Sequence, residues 1–200
     1  MRLKTEHLDV LQFHLSPART VLEQNDSLAE LRALQAEGKV RFIGISSTLP
    51  EFQDHIGMNA FDVFQVPYSL LERQHEAPIH EAAASGAGIV IRGGVSRGVM
   101  VKDEAVINEY PALLRPAFRA RRQLWHEAGH ADLVQGMTPM EFMLRFTIGN
   151  PDMSTTIVGT ANPAHVADNA RAAARGQLPP DVYAEACRRF AKPGPSAAPT

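Results

Sequence analysis

Residues 38–47 read Gly-Lys-Val-Arg-Phe-Ile-Gly-Ile-Ser-Ser, and this stretch decides the fold. Val40–Ile45 is a short, nearly unbroken run of β-branched and aromatic residues carrying one charge. A half-exposed strand would alternate apolar and polar residues. A near-continuous apolar run suits a strand inside a parallel sheet covered by helices. Just before it, SLAELRALQAE (27–37) places Leu28, Leu31 and Leu34 at helical spacing. Asp26 or Ser27 offers an N-cap and Gly38 a C-cap. The run then stops at two serines, Ser46 and Ser47.

The same alternation recurs on either side. Leu8–Phe13 reads as an earlier strand and ends in His14, with a short loop, Ser16–Asn25, after it. Pro50–Ile56 is a short helix, Val63–Val66 a strand and Ala77–Ala84 a helix that stops near Gly86. Ile89–Ile91 is a strand followed by the glycine-rich GGVSRG (93–98). Helices are predicted over Arg115–Ala128 and Pro139–Ile148, a strand over Thr155–Val158, and helices over Pro163–Ala174 and Pro180–Phe190. Residues 191–200 carry Pro, Ala and Ser without periodicity and read as a disordered tail.

The bulk composition excludes several classes. An apolar fraction of 44% with net charge −2 is a globular profile with no basic excess for nucleic acid. No apolar run approaches the roughly 20 residues of a membrane span, and the first 15 residues do not read as a secretory signal. With one cysteine, Cys187, no internal disulfide can form, and a reduced, cytoplasmic setting is the default reading.

Two architectures fit strand–helix alternation: an open doubly wound sheet, or part of a (β/α) barrel. Both bind ligands beyond the C-terminal strand ends. Those ends are His14, Ser46-Ser47, Gln65, Arg92-Gly93-Gly94 and Gly159-Thr160, and every one is polar or glycine.

Other motifs carry weaker claims. His126-Glu127-Ala128-Gly129-His130 matches HExxH, which on one helix would grip zinc. No third ligand stands at a familiar spacing and the helix should end near Gly129, so a charged, solvated helix end is the better reading and no metal site is assigned. RPAFRARR (115–122) packs four arginines into eight residues and reads as a solvated helix face. Met137, Met140, Met143 and Phe146 form a core-facing stripe.

Five stretches together resemble a known family: LDVLQFH, GKVRFIGISS, FDVFQVPYSLLER, GIVIRGGVSRG and TTIVGTANPAHVADNARAA, in order and with natural spacing. They resemble the aldo-keto reductases from the fourth barrel strand to the C-terminal helix, over nearly residues 2–190. The resemblance implies a partial (β/α)8 barrel of about five parallel strands with covering helices, occupying 1–190. It also implies hydride transfer between NADP or NAD and an aldehyde or ketone. His14 then matches a catalytic histidine that orients or polarises the carbonyl. Ser46, Ser47 and Gln65 match the contacts to the nicotinamide carboxamide, with Ser47 departing from the usual Asn. Arg92 stands where an aromatic ring usually stacks on the nicotinamide. Gly93, Gly94, Ser96 and Gly98 match the loop along the pyrophosphate. Gly159, Thr160, Asn162, His165, Asp168 and Asn169 match the segment holding the adenosine end.

The family's proton-donating Tyr and its Lys and Asp partners have no match here. Of the tyrosines, Tyr68 is expected near the pocket rim, without a lysine beside it. Five strands also cannot close an eight-stranded barrel, which would leave an open flank. In order of expectation, the sequence is part of a longer reductase, or a partial barrel completed by a partner chain or a second copy, or a non-catalytic nucleotide-binding or subunit-interaction module.

Overall fold

The structure is a computed structural model describing residues 3–24 and 26–191. The expected tail, apart from Ala191, lies outside the described residues. One five-stranded sheet organises the chain: β1 (Leu8–Phe13), β2 (Val40–Ser46), β3 (Val63–Pro67), β4 (Gly88–Arg92) and β5 (Thr155–Ile157). Neighbours in sequence are neighbours in space, and every pair is parallel. Consecutive order with parallel pairing is the arc of a barrel. A doubly wound sheet would reverse its strand order at a switch point.

Helices connect the strands. Between β1 and β2 run α1 (Arg19–Gln24) and α2 (Ser27–Ala36); α3 (Glu51–Gly57) and α4 (Glu76–Ala84) follow β2 and β3. The long β4–β5 connection holds a 3-10 segment (Ser96–Val101), α5 (Glu104–Glu109), α6 (Arg115–Glu127), α7 (Ala131–Val134) and α8 (Pro139–Ile148). After β5 come α9 (Pro163–Ala174) and α10 (Pro180–Arg189). The strands and main helices fall within a residue or two of the sequence reading. Helices α1, α5 and α7, of four to six residues, were not expected, being too short for periodicity to register.

The helices cover one face of the sheet. Ile43, Ile45, Phe64, Val66, Ile89 and Ile91 point into that layer and are at most 2% exposed. Each such side chain contributes roughly 1.5–3 kcal/mol through burial. They meet Phe52 and Ile79 from the helices, and further along the same layer lie Phe142, Phe146 and Trp125. The opposite, concave face has no helical cover among the described residues. There Val10, Phe42 and Ile157 are 41%, 43% and 50% exposed. The near-continuous apolar strands therefore do not reflect helices on both faces: the inner positions line the hollow of an incomplete cylinder.

Candidate functional site at the C-terminal strand ends

With all strands parallel, their C-terminal ends share one edge, and the residues leaving them form a single rim. Side-by-side residues in the sheet point to the same face. Ser46 pairs with Gln65 and Gln65 with Val90; one rung higher, Pro67 pairs with Arg92 and Arg92 with Ile157. These rungs alternate with the helix-facing Ile45, Phe64, Val66 and Ile91, so Ser46, Gln65 and Arg92 lie on the concave face. The side chains of Ser46 and Gln65 have no hydrogen-bond partner among the described residues. Gln65 is half-buried there and Ser46 is 5% exposed.

His14 is exposed just beyond β1. The turn behind it is fastened to β2. The Thr48 N–H donates to Ser16 Oγ at 3.2 Å. His55 Nε2 donates to the Pro17 carbonyl at 2.8 Å, and its Nδ1 accepts from Ser47 Oγ at 2.8 Å. A carbonyl can only accept, so this tautomer follows from the partners. Burial pushes the His55 pKa down, keeping the ring neutral. Ser47 is fully buried in this clamp. Its hydroxyl is turned away from the rim, which corrects its expected role against a carboxamide: it positions the His14 turn instead.

The loop after β4 is also bolted down. Ser96 is buried and its Oγ lies 2.6 Å from Ser69 Oγ, so it ties this loop to the one after β3 and presents no hydroxyl outward. The Gly94 carbonyl accepts from Thr147 Oγ1 at 2.7 Å, and a Cβ at Gly94 would stand 2.8 Å from Thr156 Oγ1. Only glycine permits that approach. Gly98 is buried against Met140. Gly93, with φ +72° and open space around its Cβ position, is the glycine of this loop that leaves room at the rim.

At the edge strand, Gly159 and Thr160 are exposed. Asn162 caps α9 by accepting from the Ala164 N–H at 3.0 Å. His165 Nδ1 lies 3.3 Å from Thr160 Oγ1. Asp168 is paired with Arg171, and Asn169 is half-buried. This segment sits beside the rim, but its polar groups are largely occupied with one another.

Several side chains depart from the sequence reading. Tyr68 is fully buried rather than at the rim. It stacks near Phe146, with ring centroids 6.2 Å apart, and donates to Glu76 Oε1 at 2.9 Å. Burial drives its pKa far upward, which makes it a weaker acid than a free tyrosine. Lys102 does have a tyrosine partner, donating to the Tyr110 hydroxyl, whose ring packs edge-on against Phe118 at 4.8 Å. In the HExxH stretch, α6 ends at Glu127 and His130 folds back, its ring stacked 4.1 Å from Trp125 and its Nδ1 donating to the Trp125 carbonyl. No cluster of three or more His, Cys, Asp or Glu among the described residues could hold a metal.

The arginine-rich helix holds the largest departure. Arg115, Arg119 and Arg122 follow the solvated reading in part, but Arg121 is 3% exposed and its Nη2 lies 2.8 Å from Glu72 Oε1. The spacing could have shown this. Arg121 is four residues from both Ala117 and Trp125, on the buried stripe of α6. With Arg92, Arg97, Ser96 and Phe118, the pair lines a cavity of about 90 Å³ behind the rim. A larger hollow of about 430 Å³ opens at the opposite, N-terminal ends of the strands, around Phe42, Val63 and Gly88. Its carboxylate, Asp62, is occupied by the Ile43 N–H at 2.8 Å, so it is a gap in the incomplete barrel floor rather than a reactive site.

An all-parallel arc with a polar rim at its C-terminal strand ends is a segment of a (β/α)-barrel protein. A profile of the aldo/keto reductase family matches residues 1–188, and the chain belongs to that family. It is 23% identical over 181 residues to the uncharacterized oxidoreductase YqkF of Bacillus subtilis (strain 168), a match covering 86% of this chain and 56% of that protein. Its fold matches the aldo-keto reductase AKR11C1 from Bacillus halodurans, holo form, at TM-score 0.73 and 20% identity. That match covers all of this chain and 62% of the other. It also matches the glycerol dehydrogenase AKR11B4 from Gluconobacter oxydans at TM-score 0.73 and 22% identity, over 95% of this chain and 60% of that one. The chain thus spans little more than half the length of these relatives. Among the described residues, no helix is long and apolar enough to cross a membrane.

Proposed function

We propose that the chain forms the cofactor-holding wall of an NAD(P)-linked oxidoreductase that reduces an aldehyde or ketone. The observation carrying this reading is the convergence of Ser46, Gln65 and Arg92 on one face at the C-terminal edge of an all-parallel sheet. The bound dinucleotide would supply the hydride. Ser46 and Gln65 would take its carboxamide, Gly93 would make room beside it, and Arg92 would flank the ring with its guanidinium plane. His14, held by the Ser47–His55 clamp, would face the carbonyl oxygen and donate a hydrogen bond to it. Tyr68 is unsuited as general acid, and we place that group on barrel segments corresponding to the remainder of the relatives' length. Fluorescence titration with NADPH, followed by its consumption with a generic aldehyde, tests the reading. Saturable binding that Gln65→Ala weakens supports it, and absence of binding refutes it.

A second reading is favoured by the open concave face. With Val10, Phe42 and Ile157 exposed together, the arc would serve as a nucleotide-binding or subunit-interaction module completed by another chain or a second copy. Binding of NADPH without turnover, together with self-association, would favour it.

A further inference from the structure

The cavity behind the rim holds more positive charge than the chain itself neutralises. Three guanidinium groups line it, those of Arg92, Arg97 and Arg121, against one carboxylate, Glu72. Among the described residues, Glu72 lies within ion-pair distance of Arg121 alone, at 2.8 Å. Nε of Arg92 and Nε of Arg121 are buried without a hydrogen-bond acceptor among the described residues. Arg92 forms no ion pair there, and Arg97 stands within electrostatic reach of both other arginines. Arg97 is held over the Phe118 ring, 5.8 Å from its centroid. The adjoining His75 adds no negative charge, since its Nε2 accepts from the Leu49 N–H and its Nδ1 is a buried, unpaired group. Burying N–H groups of unpaired cations is costly, and guanidinium forks match planar or tetrahedral oxyanions.

We propose that this cavity is an oxyanion site that holds the carboxylate or phosphate group of a small-molecule substrate between Arg92, Arg97 and Arg121. Its size favours a terminal group. At about 90 Å³ it is well below the roughly 300 Å³ at which pockets for whole ligands begin. Ala117 and Phe118 of α6, with Leu114 just before that helix, line one side of it. Arg92 belongs to both the rim and the cavity, so an anionic tail held here would place the rest of its molecule toward Ser46 and Gln65. Assigning the anion to a carbonyl substrate rests on the oxidoreductase reading. The oxyanion site itself does not.

The test is calorimetric titration of the 200-residue chain with sodium phosphate and with sodium acetate at constant ionic strength, with sodium chloride as control. One saturable site for at least one oxyanion is expected. Arg92→Met and Arg97→Ala should each weaken it at least tenfold, and saturating ADP, which carries a pyrophosphate but no nicotinamide ring to meet Arg92, should leave its affinity unchanged. These two arginines are chosen because neither is ion-paired among the described residues, so their variants should lose less stability than an Arg121 variant; circular dichroism checks that they fold. Heats no larger than those with chloride, or undiminished binding by both variants, would overturn the site. Competition between ADP and phosphate would overturn its assignment to a substrate. Phosphate binding without NADPH binding would keep the site and reject the oxidoreductase reading.

Discussion

Replacing Glu72 by glutamine removes the single negative charge among three guanidinium groups while keeping side-chain shape. The Glu72 and Arg121 side chains are 6% and 4% exposed, and their closest charged atoms are 2.8 Å apart. At an effective dielectric near 20, two unit charges that close attract by about 6 kcal/mol, gross of desolvation. Removing one partner of such a buried pair typically costs 3–5 kcal/mol, because the other is left uncompensated. Glu72→Gln leaves Arg121, Arg92 and Arg97 mutually repelling, and we expect destabilisation of about 4 kcal/mol. Arg121→Met is the milder change. It leaves Glu72 within electrostatic reach of Arg92, so the low end of that range, about 3 kcal/mol, is expected. The double variant should cost at least ~1 kcal/mol less than the sum of the single ones. Urea denaturation supplies the measurement, with midpoint shifts read at unchanged slope. A Glu72→Gln loss below about 0.5 kcal/mol, or Arg121→Met proving the more damaging, would refute this account of the cavity's charge.

Three further outcomes are expected. His75 is buried, and burial first, then the Arg92 charge, push its pKa down to about 4; burial lowers that of His55 as well. Both bind protons more readily when unfolded, near pH 6.5. Their stabilisation is therefore complete above pH 6.5 and drains away as the pH falls toward 4, by about 3 kcal/mol at most for His75. Denaturation midpoints should decline between pH 6.5 and 5, less so in His75→Asn, and a flat profile would contradict this. Gly94→Ala forces a Cβ to within 2.8 Å of Thr156 Oγ1 and 2.9 Å of Thr147 Cγ2; we expect about 1–3 kcal/mol of destabilisation by thermal melts. Finally, Val10 and Phe42 lie on the uncovered face, so the 200-residue chain should self-associate in gel filtration. Val10→Ser with Phe42→Ser should reduce that association, and a wild-type monomer that does not bind a hydrophobic dye would count against the open face.

Much of the fold was legible because it depends on short-range pattern. Parallel strands show as dense β-branched runs, helices as apolar residues every three to four positions, and both are punctuated by Gly and Pro. The clustering of polar residues at the strand ends was legible too, since parallel connectivity sends every C-terminal end to one edge. What the linear order leaves open is which way an individual side chain turns. Ser46 and Ser47 are adjacent and chemically identical, yet strand alternation sends one to the concave rim and the other into the clamp with His55. Arg121 stands at the spacing of the buried stripe of α6, but that its partner there is Glu72 shows only in the packed structure. The sequence by itself determined the strand and helix plan and the place of the rim. The tertiary structure alone decided which polar groups there are free and which are already paired, because burial and pairing arise between residues far apart in the chain.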